Sequence, residues 1–233
     1  EAGRVQAYRT SEYIKDMGTP ERLDQVARDL TSGVVAARRL SRRQRAVFLD
    51  RDGTINRYVE LLHRSEDLEL LPGAAAAIRS LNASPYLCFV VSNQPVVARN
   101  LCSIEEVEET HRRLETLLGA EGAYLDDIRF CPHHPDSGYP GENPAYKIKC
   151  ACRKPGTGMI EELAAAYNVD LSRSWMVGDT SMDIQTAVNA GMRSILVASG
   201  MRESPAKYAA RPELHCADLA EAVDRLLGQA EMQ

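Results

Sequence analysis

From Ala46 onward, short unbroken hydrophobic runs alternate with stretches in which apolar side chains recur every three or four positions. The runs Ala46–Leu49, Leu87–Val91, Trp175–Val177 and Ser194–Val197, with a weaker one at Asp127–Phe130, read as strands. A strand with no polar alternation is buried on both faces, the mark of a parallel sheet covered by helices. The periodic stretches predict helices from Pro72 to Leu81, from Ser103 to Leu118, over 157–167 and 181–190, and from Asp218 to Leu227. Ser103 is a strong N-cap, and Glu105 and Glu106 suit the positive end of the helix dipole. Strands alternating with helices imply βαβ units, hence an α/β fold: a Rossmann-like three-layer sandwich around a mainly parallel sheet. Residues 132–156, rich in Pro, Gly and His, carry no period and read as a loop. No internal repeat is evident.

The first 45 residues differ. Thr19 can cap a helix with Pro20 at its first position, and Leu23, Val26, Ala27, Leu30 and Val34 follow at helical spacing. Arg38, Arg39, Arg42, Arg43 and Arg45 then crowd the approach to the first strand, which reads as a solvated helix end or linker. The expected division is an appendage over 1–45 and one α/β domain over 46–233.

Composition narrows the field without changing that picture. The chain has 233 residues, 44% hydrophobic and 26% charged, enough to bury a full core. Its net charge of −5 argues against a dedicated nucleic-acid binder. No apolar run approaches a membrane span and no signal peptide is visible, so a cytoplasmic protein is expected. The six cysteines form no regular framework, which argues against a secreted disulfide scaffold. Cys88, Cys102 and Cys216 read as packing residues. The first residue is Glu1 and not Met, and a fragment of a longer protein is the expectation.

Polar residues gather where strands end. Asp50-Arg51-Asp52-Gly53-Thr54 follows the run Ala46–Leu49, Ser92-Asn93-Gln94 the run Leu87–Val91, and Gly178-Asp179-Thr180 the run Trp175–Val177, with Asp183 four residues after Asp179. In open α/β sheets, ligands sit beyond the carboxyl ends of the strands. Two carboxylates two residues apart can divide labour, one attacking and one moving protons. Taken alone, an Asp-x-Asp-Gly is also a turn or a calcium loop, a Gly-Asp a helix cap, and Lys154 a solvated charge; their joint placement favours one site.

A second cluster has metal-ligand chemistry. Cys131-Pro132-His133 and Cys150-Ala151-Cys152 supply three thiols and an imidazole, a set suited to tetrahedral Zn²⁺ in a closed, structural site. His134 is the rival of His133. The intervening Pro- and Gly-rich segment lacks a core of its own, and a metal can supply the missing stabilisation. Cys152 adjoins Arg153 and Lys154, so zinc would hold the loop that presents both cations; the planar fork of Arg153 suits phosphate or sugar oxygens.

Together these residues resemble the haloacid dehalogenase superfamily of phosphatases and phosphotransferases over about 46–200: Asp50-x-Asp52-Gly53-Thr54, Ser92, Lys154, and Gly178-Asp179 with Asp183 match its four motifs in order. The resemblance implies that Asp50 attacks phosphorus to give an aspartyl-phosphate and that Asp52 serves as acid and then base. Mg²⁺ would be held by Asp50, Asp179 and the Asp52 carbonyl, with Ser92 and Lys154 on the transferring oxygens. Thr54, Asn93 and Arg153 are expected to contact substrate. Asp183 would position the loop or reach the metal through water. Only about 40 residues separate the first two motifs, so no large cap is expected and the site should be open on one side.

Cys-Pro-His-His-Pro and Cys-x-Cys-Arg-Lys-Pro resemble the zinc-loop branch of that superfamily, the phosphatases of D-glycero-D-manno-heptose 1,7-bisphosphate and of histidinol phosphate. Asp50 to Asn56 and Cys131 to Pro135 are more similar to the heptose group, which implies removal of a sugar 7-phosphate in nucleotide-heptose synthesis; histidinol phosphate is the alternative. Pro95-Val96 stands where that group usually has Ser-Gly, Asn100 replaces a frequent glycine, and the zinc loop is longer. These departures bear on the sugar and its anomer more than on the chemistry. A polynucleotide 3′-phosphatase shares the first motif but fits the acidic balance poorly. A non-catalytic module would not need Asp50, Asp52, Lys154 and Asp179 together. Glu12 to Arg22 looks like the end of a sugar-1-phosphate nucleotidyltransferase with Asp16 as its metal-site match, which implies fusion to such a domain upstream.

Overall fold

The computed structural model describes residue 10, residues 12–201 and residues 206–230. Six parallel strands form one sheet: β1 (Arg45–Leu49), β2 (Tyr86–Asn93), β3 (Asp127–Cys131), β4 (Trp175–Gly178), β5 (Arg193–Val197) and β6 (Leu214–Cys216), in the order β3-β2-β1-β4-β5-β6. The helices are α1 (Pro20–Thr31), α2 (Val34–Ala37), α3 (Ala74–Asn82), α4 (Ile104–Ala120), α5 (Gly158–Tyr167), α6 (Ser181–Ala190) and α7 (Leu219–Ala230).

Strand alternation sorts the core into two layers. Val47, Leu49, Cys88, Val90 and Val177 pack with apolar residues of α3, α4 and α7. Ala46, Phe48, Leu87, Phe89, Val91 and Met176 face the other way, onto α5 and Ala187 of α6. The hydrophobic run of β1 is therefore spent on both faces, as its composition requires. The strand order reverses between β1 and β4, so helices leave those strands on opposite sides and open a crevice at their carboxyl ends. Register places Asp50 beside that crevice, since Leu49 pairs with Val177 and the Asp50 N–H donates to the Val177 carbonyl at 2.9 Å. Asn93 pairs with Cys131 at the same edge of the sheet.

Expected and observed elements differ at a few points. The strand β6 is a three-residue Leu-His-Cys at the sheet edge, too short to carry a period. The N-terminal helix is split: Ser32 caps α1, and Gly33 in the left-handed region (φ 82°) starts α2. Thr19 caps α1 as its sequence suggests, with Pro20 at the first turn. Helix α3 begins at Ala74, after Pro72 and Gly73 have turned the chain. The arginine-rich stretch is not all solvated. Arg38 is buried, pairing with Asp126 at 2.9 Å and donating to the Tyr86 carbonyl at 3.2 Å. The Gln44 backbone also docks, exchanging hydrogen bonds with Asn168 and Asp170, each at 2.8 Å.

Candidate active site

Lys154 brings two strand ends together. Its ammonium lies 2.8 Å from Oδ1 of Asp50, beyond β1, and 2.6 Å from Oδ1 of Asp183, in the first turn of α6. Asp183 is buried, and its other oxygen accepts from the Thr180 hydroxyl at 2.6 Å and the Thr180 N–H at 3.1 Å. It thus caps α6 and holds Lys154 at once. The Lys154 backbone is fixed by the Asn93 side chain, whose Oδ1 accepts from Lys154 N–H at 2.9 Å and whose Nδ2 donates to the Lys154 carbonyl at 3.1 Å. Lys154 has its proton affinity raised: burial opposes this, but Asp183 and Asp50 outweigh it.

Asp52 sits in a different environment. Arg51, fully buried, grips it with Nη2 at 3.0 and 2.8 Å from its two oxygens. Asn56 and Gln94 add donors at 2.9 Å each. Burial would raise the Asp52 carboxyl, but the charge of Arg51 and these hydrogen bonds hold it below the usual carboxylate range. Arg51 is itself placed by the Gln94 carbonyl at 3.0 Å and by His111 Nε2 at 3.2 Å. A guanidinium can only donate, so Nε2 accepts and the imidazole is neutral. Burial, then the Arg51 charge, lower the His111 pKa to about 3. Gln94 also donates to Ser92 Oγ at 2.8 Å.

Asp179 completes the centre. Carboxylate oxygens of Asp50, Asp179 and Asp183 all lie within 4.8 Å of one another. Asp179 Oδ2 accepts from Met201 N–H at 2.6 Å, while Oδ1 is buried with no partner. Burial, with Asp50 and Asp183 nearby, pushes Asp179 up to about 8; burial likewise lifts Asp50 to about 6 against the pull of Lys154. Three carboxylates face one ammonium, and the excess of two negative charges fits a hard divalent cation with oxygen ligands. The packing is tight: a Cβ at Gly53 or Gly200 would overlap the Asp179 carboxylate, and one at Gly178 would overlap Asp183.

At the end of β3, Sγ of Cys131, Cys150 and Cys152 lie 3.1 to 3.5 Å apart, with His133 Nδ1 3.4 Å from Cys152 and 3.6 Å from Cys131. A zinc tetrahedron with sulfur ligands has edges of about 3.8 Å, so these four atoms outline such a site slightly contracted. His134 stands outside it, with Nδ1 accepting from Asp136 N–H at 3.2 Å. The Cys150–Cys152 turn continues into Arg153 and Lys154, and Arg153 Nη1 donates back to the His133 carbonyl at 2.9 Å. A Cβ at Gly156 would overlap the Ala151 carbonyl, so a side chain there would force the backbone of the turn presenting Lys154 to shift.

A cleft of about 300 Å³ covers the centre, lined by Asp50, Asp52, Ser92, Asn93, Arg153, Lys154 and Asp179 among others. No helix or strand covers it from the 50–73 side beyond one short turn, in keeping with the absence of a large cap. Of the residues expected to contact substrate, Thr54 alone stands apart: its side chain is fully buried, its hydroxyl has no partner, and it does not line the cleft. Sequence reasoning passed over Arg51 and Gln94, although both lie inside the motifs it singled out. It had no signal for His111, a lone histidine on α4.

The chain is similar to several known proteins. A family model described as HAD-hydrolase-like matches residues 151–222. A D-glycero-D-manno-heptose-1,7-bisphosphate 7-phosphatase from Thermosynechococcus vestitus is 44% identical over 186 residues, covering 77% of this chain and 93% of the relative. A D-glycero-beta-D-manno-heptose-1,7-bisphosphate 7-phosphatase from Rhodopseudomonas palustris is 45% identical over 150 residues, 64% of this chain and 81% of the relative. The crystal structure of the D,D-heptose 1,7-bisphosphate phosphatase from B. bronchiseptica, complexed with magnesium and phosphate, superposes with a TM-score of 0.69 at 33% identity, over 80% of this chain and 99% of that one.

Proposed function

This chain belongs to the haloacid dehalogenase-like hydrolases, within the family of the D-glycero-D-manno-heptose-1,7-bisphosphate 7-phosphatases, and on that premise we propose that it hydrolyses the 7-phosphate of the heptose bisphosphate. The observation that carries the reading is the unequal treatment of Asp50 and Asp52. Asp50 sits against Lys154 at the crevice, whereas Asp52 is held ionised by Arg51 and two amides.

Asp50 is the nucleophile. Its oxygen forms a bond to phosphorus as the bond to the sugar oxygen breaks, giving an aspartyl-phosphate. Asp52, ionised in the free protein, takes up a proton from solvent as the substrate phosphate enters and delivers it to the departing sugar oxygen. An arriving phosphate dianion raises the proton affinity of Asp52, offsetting the pull of Arg51. Ionised again, Asp52 takes a proton from water, whose oxygen attacks phosphorus; inorganic phosphate leaves and Asp50 is restored. Lys154 and Ser92 bind the transferring oxygens. Asp50, Asp179 and the Asp52 carbonyl would hold Mg²⁺, which lets an anionic nucleophile meet an anionic phosphate. Asp183 positions Lys154, and Asn93 fixes its backbone. Cys131, His133, Cys150 and Cys152 would hold Zn²⁺, which would serve as a structural ion that fixes the loop. Arg153 reaches substrate oxygens from the same loop.

Among the described residues no helix is long and apolar enough to cross a membrane. We further propose that residues 1–45 are the end of a nucleotidyltransferase-like domain with its linker, and that 46–233 form the phosphatase. Support comes from α1, none of whose residues is buried. Residues 1–9 and 11 of this segment lie outside the described residues. The mass and sequence of the native gene product test that part. Phosphate release from the heptose bisphosphate and from histidinol phosphate, with Mg²⁺, tests the activity: a preference for histidinol phosphate overturns the heptose reading.

A further inference from the structure

Helix α4 turns an imidazole towards the reacting centre. Val107, His111, Leu114 and Leu118 are all buried and fall at helical spacing, so His111 belongs to the face that packs inward. A buried imidazole needs a polar partner to offset its lost hydration. It finds Arg51: its Nε2 lies 3.2 Å from Arg51 Nη1, and its ring rests against Phe130 of β3 with centroids 5.2 Å apart. The helix is fixed at its start by a capping box, in which Ser103 Oγ accepts from Glu106 N–H at 3.2 Å and the Glu106 carboxylate accepts from Ser103 N–H at 2.7 Å.

The donors of Arg51 are divided between two tasks. Nε and Nη2 hold Asp52, Nε at 3.2 Å from Oδ1 and Nη2 at 3.0 and 2.8 Å from Oδ1 and Oδ2. Among the described residues, the polar partner of Nη1 is His111. Arg51 is fully buried, where a donor without an acceptor is costly. Gln94 cannot stand in for His111, since its carbonyl already accepts from Nη2 and its amide donates to Asp52 and Ser92. The guanidinium is planar and rigid, so if Nη1 turns to seek another acceptor, the edge formed by Nε and Nη2 turns with it.

We propose that His111 is a positioning residue for proton transfer: by accepting from Arg51 Nη1 it locks the guanidinium whose other edge aims Asp52 at the departing sugar oxygen and then at the attacking water. Among the described residues neither Asp50 nor Lys154 hydrogen-bonds to Arg51 or His111, so the attack on phosphorus itself does not pass through this support. His111 therefore matters most where the leaving group needs a proton. This inference rests on the phosphatase roles of Asp50 and Asp52 and not on which sugar is cleaved.

The test measures leaving-group release in a single turnover, with enzyme in excess, for two kinds of ester. D-glycero-D-manno-heptose 1,7-bisphosphate and fructose 1,6-bisphosphate lose alkoxide-type oxygens that must be protonated, whereas 4-nitrophenyl phosphate loses a stable anion that need not be. His111→Leu is expected to slow release from the sugar esters by about 30-fold or more, and from 4-nitrophenyl phosphate by no more than about 3-fold. His111→Gln, which returns a neutral acceptor, should restore the sugar esters to within about 3-fold of the wild type. The ratio of the two rates within one preparation is independent of any inactive fraction. Equal losses on both kinds of ester would show a merely structural role and overturn the proposal; so would an unimpaired His111→Leu, or a His111→Gln as slow as His111→Leu on the sugar esters. Should His111→Leu not fold, arginine-selective ¹⁵N spectra of the wild type decide: Arg51, identified by its shift in His111→Gln, should give two separate Nη signals, and one averaged signal overturns the lock. If the heptose ester is inert but fructose 1,6-bisphosphate shows the selective loss, the heptose reading fails and this one stands. If heptose bisphosphate is hydrolysed with no dependence on His111, the reverse holds.

Discussion

Asp183 holds Lys154 at 2.6 Å through one carboxylate oxygen while the other caps the helix that carries it. The position of the cation is therefore tied to the stability of the first turn of α6. Asp183→Asn keeps the shape but removes the charge that anchors Lys154. We expect a stability loss of about 1 kcal/mol from the weakened cap and a fall in kcat of about 100-fold from the misplaced ammonium. Urea unfolding and steady-state kinetics check the two separately; an unchanged kcat would remove Asp183 from the positioning role.

Asp50→Asn should leave the fold in place and reduce turnover by about 10⁴-fold or more, since an amide cannot form the phosphoryl bond. Circular dichroism guards against misfolding. Retained phosphate release, or labelled phosphate still bound covalently to the variant, would count against Asp50 as nucleophile.

Much of the fold and of the site was legible because buried parallel strands stand out as apolar runs, and the residues at the carboxyl end of each run line the crevice. Asp50, Ser92 and Asp179 could be placed from that rule alone. Lys154 could not be placed by a strand; it depended on its neighbours Cys152 and Pro155. The features that escaped the sequence depend on contacts between distant segments. His111 meets Arg51 across 60 residues, and Arg38 meets Asp126 across 88, with nothing local to signal either. A run of arginines reads as solvated because charge is usually exposed. Here one of them finds a buried carboxylate and a strand carbonyl.

That pair gives a stability prediction. Arg38 and Asp126 are each about 5% exposed, so removing one partner strands the other charge. Arg38→Ala should cost about 3 kcal/mol or more. Denaturant unfolding of the variant checks it, and a loss below about 1 kcal/mol would show that residues 34–44 are not part of the folded unit.

Stability should also respond to pH through His111. Its pKa falls from an ordinary value near 6.5 unfolded to about 3 folded, chiefly by burial. The unfolded chain then binds more protons below pH 6.5, so the stability that His111 permits is present above that value and is lost as pH falls towards 3. At pH 5 the loss relative to pH 7.5 is about 2 kcal/mol. His111→Gln offers Arg51 a neutral acceptor that does not titrate. Its stability should change less between the two pH values by about that amount; an equal change in both proteins would assign the effect to another group.

Zinc removal should act at two places through one loop. The thiols of Cys131, Cys150 and Cys152 sit within 3.5 Å of one another, and burial pushes the Cys131 thiol up, so the cluster is costly to keep ionised without a cation. Chelation verified by metal analysis should lower the melting temperature by about 5 °C or more. Because Arg153 and Lys154 follow Cys152 directly, kcat should fall with it, and added Zn²⁺ should restore both. An unchanged melting point after complete removal would end the structural role of the cluster. A lowered melting point with full activity would instead separate the cluster from the presentation of Lys154, and the link between the two sites would have to be abandoned.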